Sequence, residues 1–437
     1  MRSGGKSNNK KIETMLRFYI KGLFRDRSRS LMPMLVVAIG VTLVVLVQCW
    51  VMGIFGDMIV FNAKFATGHV KVMSRAYSEN IDQTPNDLAL LGTDTILQEL
   101  HAEFPGMEWV QRIKFAGLVD VPDENGETRI QGPGAGMAVD LLTPGSKEAD
   151  RLNLSKSLVR GRLIQSPDEI LLSDEFATKL EVDPGDQVTL ITSTMYGAMS
   201  ITNFTVCGTV KFGSVVLDRG GIVADISGIR DALDMQDATG EILGYFPNGE
   251  YNDEKATAMA TAFNAKYSDA NDEFSPIMLS LREQGTMTMM MTIIDYFQTL
   301  IIGIFMVAMA IVLWNSGLLG GLRRYGEMGL RIAIGEEKRH IYGSLITESV
   351  FIGLAGSVIG TAFGLLFAGL LTRGIDISGM MGNSSMMMQG VMRAKITPDA
   401  YYIGFIPGIL ATTFGTALAG IGIFKRRTAQ LFKELQA

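Results

Sequence analysis

Four long apolar stretches and one long polar segment alternate along this chain. The first apolar stretch covers residues 31–53 and contains no charged side chain. A helix of this length crosses a hydrocarbon core of about 30 Å. The stretch exceeds the usual apolar core of a cleaved signal peptide and follows a basic leader, so it predicts a membrane anchor. Three further stretches, 292–319, 341–371 and 401–424, follow towards the C-terminus.

Basic residues flank these stretches unevenly. They concentrate in the leader 1–30, in the segment 321–340 and in the tail 425–437. Because basic loops are retained in the cytoplasm, these three segments are predicted to be cytoplasmic, and the polar segment and the loop 372–400 to lie outside. The sequence therefore predicts a polytopic α-helical membrane protein with one transmembrane helix before a large extracytoplasmic domain and three after it.

The long polar segment, about 62–285, alternates β-type runs with turn signals. The runs GHVKVMS, EILLSD, DQVTLITS and ITNFTVCGTVKF are rich in β-branched residues, and Asp183-Pro184-Gly185-Asp186 and Asp123-Glu124-Asn125-Gly126 are typical of turns. Helical spacing occurs at 174–180, 229–235 and 254–267. A compact α+β domain is expected.

The predicted organisation has four parts. They are a cytoplasmic basic leader (1–30), a first transmembrane helix with its outer extension (31–61), an α+β domain (62–285) and a C-terminal membrane domain (286–437). The last part is predicted to contain helices near 292–319, 341–371 and 401–424. Between and after them lie the segment 321–340, an outer loop 372–400 and a cytoplasmic tail 425–437.

Charge separates these parts further. Residues 62–285 hold 18 Lys and Arg against 34 Asp and Glu, a balance of −16, whereas the remaining segments are basic by +10. The folded domain is therefore acidic, and a basic surface for nucleic acid is not expected.

Motifs for catalysis or metal binding are absent from the sequence. It contains no GxxxxGK[ST] phosphate loop, HExxH, CxxC or GxSxG, and His69, His101 and His340 lie far apart. Cys49 and Cys207 are interpreted as unrelated reduced thiols. We expect no catalytic residue, metal or cofactor on this chain, so any ATP and Mg²⁺ would be bound by a partner.

Small residues recur at a spacing of four in the third apolar stretch. Gly356, Gly360 and Gly364 share one helix face, and Ala411, Gly415 and Ala419 repeat the pattern in the fourth. Such faces let helix backbones approach closely. The pattern fits tight packing within the chain or a seam between two copies.

Methionine is unusually frequent, with 27 residues that cluster at 287–291 and 380–392. Thioethers outside a membrane suit Cu(I), and they equally suit adaptable contacts with lipid, acyl chains or a neighbouring helix. The second interpretation is favoured.

The segment 321–349, GLRRYGEMGLRIAIGEEKRHIYGSLITES, joins the second and third apolar stretches. Its basic and small apolar positions fit an amphipathic helix at the membrane surface. A helix that joins two spans can transmit force to both. A solvated loop that only sets topology is the alternative.

The same segment resembles the FtsX-like permease domain of the MacB and LolC/LolE superfamily of ABC transporters, which follows the pattern R-x-x-E-I-G-[IL]-R-x-A-[IL]-G-A. Met328 replaces the usual Ile, and Glu336 replaces a small residue. The matching residues are Arg324, Glu327, Gly329, Arg331, Ala333 and Gly335, and Glu348 matches the Glu of the E-x-x-[IL] that follows a basic segment in this family. By this resemblance, Arg324–Gly335 would be the coupling helix that contacts the ATPase.

The resemblance extends over nearly the whole chain. The stretch ATGHVKVMSRAYSEN is similar to the LolE-type branch, and DEILLSDEFATKLEVDPGDQVTLIT with FTVCGTV resembles the MacB-type outer domain. It implies a bacterial inner-membrane permease that pairs with a second copy or a paralogue and with a cytosolic ABC ATPase. Hydrolysis would move the outer domain, which is mechanotransmission.

The cargo implied by the LolE-like stretch is a lipoprotein released towards the outer membrane, with a periplasmic carrier as a further partner. Family relatives instead export peptides, toxins or small molecules, or only signal. Membrane lipid, or the acyl chains of a lipoprotein, would contact the apolar outer ends of the first two helices, at Val51, Ile54, Phe55, Ile59, Met290 and Phe297.

Overall fold

The computed structural model describes residues 27–323, 330–376 and 391–424. These residues form two compact units, a helical one from residues up to 56, 292–375 and from 392 onward, and a mixed one built mainly from residues 57–291. Three predicted segments lie outside the described residues. They are the basic leader up to residue 26, residues 377–390 of the predicted outer loop with most of its methionine cluster, and the predicted cytoplasmic tail 425–437.

Helices occur in both units. In chain order they are α1, Arg27–Asn62; α2, Arg75–Glu79; α3, Thr93–Glu103; α4, Glu148–Arg151; α5, Leu154–Ser157; α6, Asp174–Lys179; α7, Val215–Asp218; α8, Ile226–Leu233; α9, Asp253–Tyr267; α10, Gly285–Arg323; α11, Lys338–Leu371; and α12, Phe405–Phe424. Four of them, α1, α10, α11 and α12, are long and apolar enough to cross a membrane. Residues 330–333 are also helical.

Strands occupy the mixed unit and the two ends of the outer loop. They are β1, Val70–Ser74; β2, Leu90–Leu91; β3, Glu108–Pro122; β4, Thr128–Val139; β5, Leu158–Gly161; β6, Glu169–Ser173; β7, Gln187–Ser193; β8, Met199–Val210; β9, Gly221–Asp225; β10, Ala238–Thr239; β11, Glu241–Tyr245; β12, Pro276–Ser280; β13, Ile375–Asp376; and β14, Val391–Met392.

In the helical unit, α1 and α11 run in the same direction with their backbones in close contact. A Cβ on Gly356 would lie 2.8 Å from the Cβ of Val37, and one on Gly364 would lie 2.7 Å from that of Val45. The glycine face of α11 therefore receives the valine ridge of α1. Of the two arrangements that the sequence left open for this face, the structure shows packing within the chain.

Helix α12 completes this core through another small face. A Cβ on Gly408 would overlap the Ser357 hydroxyl, and one on Gly415 would lie 2.9 Å from Leu313 Cβ on α10. Without a strong hydrophobic drive between helices in lipid, such close backbone contact is a main source of association.

The mixed unit contains a closed ring of six strands. Strand β7 pairs with both β8 and β3, which closes the order β3-β4-β9-β6-β8-β7. Strands β11, β1 and β12 continue outward from β3, and β5 pairs with β8. Helix α6 contributes Phe176, α8 contributes Ile229 and Leu233, and Leu180 follows α6 directly; all four lie in the core that fills the ring.

Three alternate glycines of β4 face this core. A Cβ on Gly132 would lie 3.0 Å from the Phe176 ring, one on Gly134 would lie 2.7 Å from Ile222, and one on Gly136 would overlap the Phe115 ring. Because glycine has no side chain, these positions make room for large apolar residues from the facing elements.

The sequence predictions for this unit are largely confirmed. Each of the four predicted β-type runs contains a strand, β1, β6, β7 or β8, and the helices predicted at 174–180 and 254–267 correspond to α6 and α9. The helix predicted at 229–235 is α8, which begins three residues earlier and ends at Leu233. Cys49 and Cys207 are both free and buried.

Candidate functional site

Helix α1 ends in a turn whose carbonyl groups need hydrogen-bond donors from elsewhere. The helix passes into a π-helical turn, Ala63–Thr67, and the last carbonyls of a helix have no partner within it. Arg112, from the middle of β3, donates from Nη1 to the Phe65 carbonyl and from Nη2 to the Lys64 carbonyl, both at 2.7 Å. The Tyr245 hydroxyl lies 3.1 Å from the Ala63 carbonyl.

This arrangement, which we call the stalk junction, consists of the turn Ala63–Thr67 and the side chains that hold it. They are Gly68, His69, Glu108, Arg112, Lys147, Glu148, Arg151, Tyr245, Leu281 and Gln284. All of them belong to the mixed unit.

Gly68 allows the chain to leave the turn and enter the sheet. Its φ is +62°, a conformation that favours glycine, and a Cβ there would lie 2.7 Å from the Val70 carbonyl oxygen. Its amide donates to the Ala63 carbonyl at 2.8 Å, and the His69 amide then donates to the Gly244 carbonyl. The helix therefore passes into the sheet within a few residues.

A chain of alternating charges supports Arg112. Its Nε donates to Glu148 Oε2 at 2.8 Å, and both side chains are almost completely buried. Glu148 also accepts from Arg151, which donates to Glu108 at 2.7 Å. Lys147 completes the chain at the surface, 3.1 Å from Glu108. The end of α1 is thus attached to a network of five charged side chains.

The electrostatics of this network favour the charged forms. Burial opposes ionisation of Glu108, but the hydrogen bonds from Arg151 and Lys147 outweigh it, so the pKa of Glu108 lies below its usual value. Burial likewise opposes the charge on Arg151, and Glu148 and Glu108 raise its pKa. The Arg151 guanidinium also lies 4.0 Å from the centre of the Tyr245 ring.

The chain returns from the domain at the same junction. The Leu281 amide donates to the His69 carbonyl, and Gln284 Nε2 donates to the Thr67 carbonyl at 3.1 Å. Ser280 and Glu283 form a capping box just before α10. Ala63, Leu281, Met287 and Met291 form one buried apolar cluster, with Ile59 and Met290 packed against it. The end of α1 and the beginning of α10 are therefore fastened together.

A second buried charge cluster lies beside the junction on the same sheet. Glu241 on β11 is opposite Arg112 on β3, and it pairs with Lys71 at 2.9 Å and with Lys114 at 2.8 Å. Burial raises the pKa of a carboxyl group, but the two ammonium groups reverse the effect and hold the pKa of Glu241 at about 2. The carboxylate therefore stays ionised.

His69 is enclosed by aromatic rings at the junction. Its Nδ1 accepts from the Phe246 amide at 2.9 Å, and the rings of Tyr245, Phe246 and Tyr251 lie within 6.0 Å of its own. Burial, with the nearby Arg151 charge, lowers the pKa of His69 to about 4. The folded domain therefore holds this side chain neutral.

We expect the domain to lose stability as the pH falls from about 6.5 to 4. The unfolded chain protonates His69 near the ordinary histidine pKa of 6.5, whereas the pKa in the folded state is about 4, so protons favour unfolding across that window. The loss is about 3 kcal/mol at the acidic end. Thermal unfolding of the full chain in nanodiscs at pH 7 and pH 4.5 measures it.

The matched variant for this prediction is His69→Gln. The side-chain oxygen of glutamine can accept the hydrogen bond from the Phe246 amide, and glutamine does not titrate. We expect a smaller difference in melting temperature between the two pH values than in the parent chain. An unchanged difference would assign the acid sensitivity to other groups.

The structure describes part of the predicted coupling segment. Arg324, Glu327, Met328 and Gly329 lie outside the described residues. Arg331 lies in the helical residues 330–333 and forms a two-pronged ion pair with Glu336, at 2.7 and 2.9 Å. Ala333 is exposed, and Gly335 has a φ of +98°, with nothing within 4 Å of a Cβ at its position. The helix therefore stops at a glycine before α11 begins.

The predicted apolar contact residues differ in exposure and fall in both units. Val51 is 8% exposed, and Ile54 and Phe55 are partly exposed. Ile59 and Met290 lie together at the apolar cluster of the stalk junction. Phe297 is 44% exposed.

Sequence reasoning missed the central residues of the stalk junction. Arg112 stands in the strand WVQRIKF, where nothing distinguishes it from a surface arginine. Gly68 was the available signal, because a glycine directly after a long helix is typical of a helix end. Among the residues that the structure describes, no group of three His, Cys, Asp or Glu side chains is placed to hold a metal ion.

Comparison with known proteins agrees with this architecture. Residues 30–262 match the family described as MacB-like periplasmic core domain, and residues 299–427 match the FtsX-like permease C-terminal family. A similar solved structure is the periplasmic region of MacB from Actinobacillus actinomycetemcomitans, with 11% identity and a TM-score of 0.35, covering 54% of this chain and 97% of that one. No curated protein matches the sequence significantly. The chain belongs to the ABC transporter permeases that combine a MacB-like periplasmic core domain with an FtsX-like permease domain.

Proposed function

We propose that this chain is the permease subunit of a mechanotransmission ABC transporter that releases lipoproteins from the bacterial inner membrane for transfer to the outer membrane. The observation that carries the proposal is the stalk junction, which fastens the end of α1 and the beginning of α10 to one buried network. A load on either helix reaches the same set of side chains.

The proposed topology follows the family. The domain organisation is the leader 1–30, helix and extension 31–61, periplasmic domain 62–285 and permease domain 286–437, with one span before the periplasmic domain and three after it. Family membership implies an ABC ATPase partner and a second permease. ATP and Mg²⁺ would bind the ATPase, and this chain would require no cofactor of its own.

Exposed aromatic residues support this placement in a membrane. Trp50 near the outer part of α1, and Tyr401 and Tyr402 just before α12, are 43%, 59% and 57% exposed. Trp314 is 41% exposed towards the other end of α10. Tryptophan and tyrosine are enriched at both membrane–water interfaces, and the proposed topology puts the first three at the outer interface and the fourth at the inner one.

The coupling segment would receive force from the ATPase through Arg324, Glu327, Met328, Gly329, Arg331, Ala333 and Gly335. We expect Arg331→Glu to abolish retention of the ATPase in detergent. Because Arg331 also pairs with Glu336 within the chain, the control is the double variant Arg331→Glu/Glu336→Arg, which restores an internal ion pair with reversed polarity.

The two variants separate the possible roles of Arg331. If it contacts the ATPase, the double variant stays defective. If both ATPase retention and lipoprotein release recover in the double variant, Arg331 only stabilises the segment, and its assignment to the coupling surface is wrong.

The proposal of a lipoprotein cargo is supported by the LolE-like stretch around Gly68 and His69. Both residues belong to the stalk junction. The acyl chains would contact Val51, Ile54, Phe55, Ile59, Met290 and Phe297. The first turns of α10 are apolar and open, since Met289, Ile293 and Phe297 are 68%, 52% and 44% exposed. Acyl chains and membrane lipid would compete for this surface.

Depletion of the protein followed by membrane fractionation tests the cargo. We expect lipoproteins normally sorted to the outer membrane to accumulate in the inner membrane, and a wild-type copy to restore sorting. Unchanged sorting after depletion would reject lipoprotein release and favour export of peptides or small molecules, or signalling without cargo.

A further inference from the structure

Among the residues that the structure describes, the outer wall of the strand ring is covered on one side and bare on the other. On the covered side, Leu171, Cys207 and Val223 pack against Leu152 and Leu154 in a second buried cluster. On the bare side, outward residues of β4, β3, β7 and β8 face solvent. An uncovered wall of this kind should alternate core residues with polar ones.

The bare wall instead carries an apolar row across four strands. Pro133 on β4 pairs with Leu118 on β3, Leu118 pairs with Ile191 on β7, and Ile191 pairs with Ile201 on β8. Their neighbours Val119 and Leu190 point into the core, so by the alternation of a strand this row points outward. Ile201 is 64% exposed.

A second row widens this surface. Two residues along, Ala135 on β4 and Met199 on β8 occupy the same face, and Met199 is 75% exposed. We call Leu118, Pro133, Ala135, Ile191, Met199 and Ile201 the wall patch. The next row in the other direction is polar, with Asp120 paired to Thr189 and Gln131.

We propose that the wall patch is the contact through which the periplasmic domain meets that of a second copy of this chain. This inference rests on the proposed pairing of two permeases. The charge and the area of the wall patch favour a second copy over a freely diffusing partner.

Symmetry restricts the charge that a contact between two copies can carry. In a two-fold contact the patch faces the same patch of its partner, so a patch with a net charge would meet the same net charge and be repelled. The segment 62–285 has a balance of −16, yet no residue of the wall patch is charged. Two acidic domains can therefore approach through this part of the wall without placing carboxylates against each other.

The area of the wall patch limits the affinity that it can provide. Four strands about 4.8 Å apart and two side-chain rows about 6.6 Å apart give an area on the order of 200 Å². A stable contact between free proteins needs about 800 Å² from each partner. The wall patch is too small to capture a protein from solution, but it suffices for a partner that membrane helices already hold at high effective concentration.

Cross-linking of the full chain in native membranes tests the proposal. In a Cys49→Ala/Cys207→Ala background, Ser193→Cys or Ile201→Cys is treated with a short bis-maleimide. Both positions are exposed, so neither substitution is expected to destabilise the domain. We expect a covalent dimer of this chain at a yield roughly fivefold above that of Asn125→Cys, an exposed control in the β3–β4 turn.

Two further measurements sharpen the outcome. Ile201→Glu combined with Ser193→Cys should reduce the dimer yield towards the control, because it introduces like charges across the contact. Raising the salt concentration should increase the yield from Ser193→Cys, because it screens repulsion between acidic domains; a basic partner would show the opposite dependence.

Equal yields from Ser193→Cys, Ile201→Cys and Asn125→Cys, or cross-linking of the wall patch to a different protein, would overturn the proposal. Retention of the ATPase and sorting of lipoproteins are measured on the same cells. If ATPase retention and lipoprotein sorting persist but the cross-link does not form, the wall-patch contact is wrong and the proposed function stands. If the cross-link forms but ATPase retention and lipoprotein sorting fail, the contact stands and the proposed function is wrong.

Discussion

Replacing Arg112 with leucine should lower the free energy of unfolding of the periplasmic domain by about 3–5 kcal/mol, because the buried Glu148 loses one of its two arginine partners and two carbonyl groups lose their donor. The Lys64 and Phe65 carbonyls lose their donors in the same step. Unfolding of the full chain in nanodiscs, followed by a probe in the domain, measures the loss. Arg112→Lys should be intermediate, since one ammonium cannot replace a planar group with several donors.

The control for Arg112 is Arg129→Leu, which removes an arginine from the neighbouring strand β4. Arg129 pairs with Glu181, and both side chains are largely exposed, at 41% and 68%. Exposed ion pairs contribute little to stability, so the expected change in the free energy of unfolding is within about 0.5 kcal/mol. Equal effects of the two leucine variants would show that the buried network does not hold the end of α1.

The same pair of positions tests transmission of force. If the stalk junction couples α1 and α10 to the domain, then Arg112→Lys, studied at a temperature where the domain remains folded, should retain ATP hydrolysis by the partner but release less lipoprotein per ATP. Arg129→Leu should keep the normal ratio. A normal amount of lipoprotein released per ATP in Arg112→Lys would show that this arginine contributes to stability alone.

Local patterns in the sequence predicted the four long apolar helices, three helices of the mixed unit and the strands β1, β6, β7 and β8, but not the long strands β3 and β4. The uninterrupted apolar run at 31–53 predicts a helix because no other element satisfies every backbone group of a single segment in lipid. The β-branched runs that became β6 and β7 carry the same kind of local information. Each of these predictions depends on residues close together in the chain.

The stalk junction and the strand ring depend on residues far apart in the chain. Arg112 lies 47 positions from Phe65, whose carbonyl it binds, and Tyr245 lies 182 positions from Ala63. Pairing of β7 with β3 similarly joins Ile191 to Leu118. No local pattern marks either partner, because a capping arginine and a surface arginine look alike in sequence.

The glycine face of α11 shows where a correct local pattern leaves its partner open. The spacing of Gly356, Gly360 and Gly364 predicts a close helix contact, but it does not say which helix makes it. The structure places this face against α1, where Thr42 Oγ1 lies 3.1 Å from the Gly360 carbonyl oxygen. Because the two helices are this close at Gly360, a substitution there is expected to cause a large loss of stability.

Adding a single methyl group at Gly360 should destabilise the helical unit by about 1–3 kcal/mol, the usual result of overpacking a close contact. The new Cβ would lie 2.6 Å from the Ala38 carbonyl oxygen and 2.7 Å from Val41 Cβ. The first of these is a backbone atom and cannot rotate away, so α1 and α11 must separate. Gly360→Leu should be worse and should prevent stable accumulation in the membrane.

The matched control lies on the same helix. A Cβ on Gly369 would meet nothing within 4 Å, so Gly369→Ala should be neutral or slightly stabilising, since alanine favours the helix more than glycine does. Thermal aggregation of the full chain in detergent ranks the variants. If Gly360→Ala behaves like Gly369→Ala, the glycine face does not hold α1.

A second experiment on this contact asks which chain supplies the partner. In a background without Cys49 and Cys207, Val45→Cys with Gly364→Cys brings the two thiols near each other only where α1 and α11 pack together. A Cβ at 364 would lie 2.7 Å from that of residue 45, so the helices must separate by about 1 Å to reach the Cβ spacing of about 3.5–4.5 Å that a disulfide needs. We expect a disulfide that leaves the apparent mass of a monomer. A disulfide that appears only as a dimer would move this contact to a seam between copies, and the valine ridge of α1 would then belong to its neighbour.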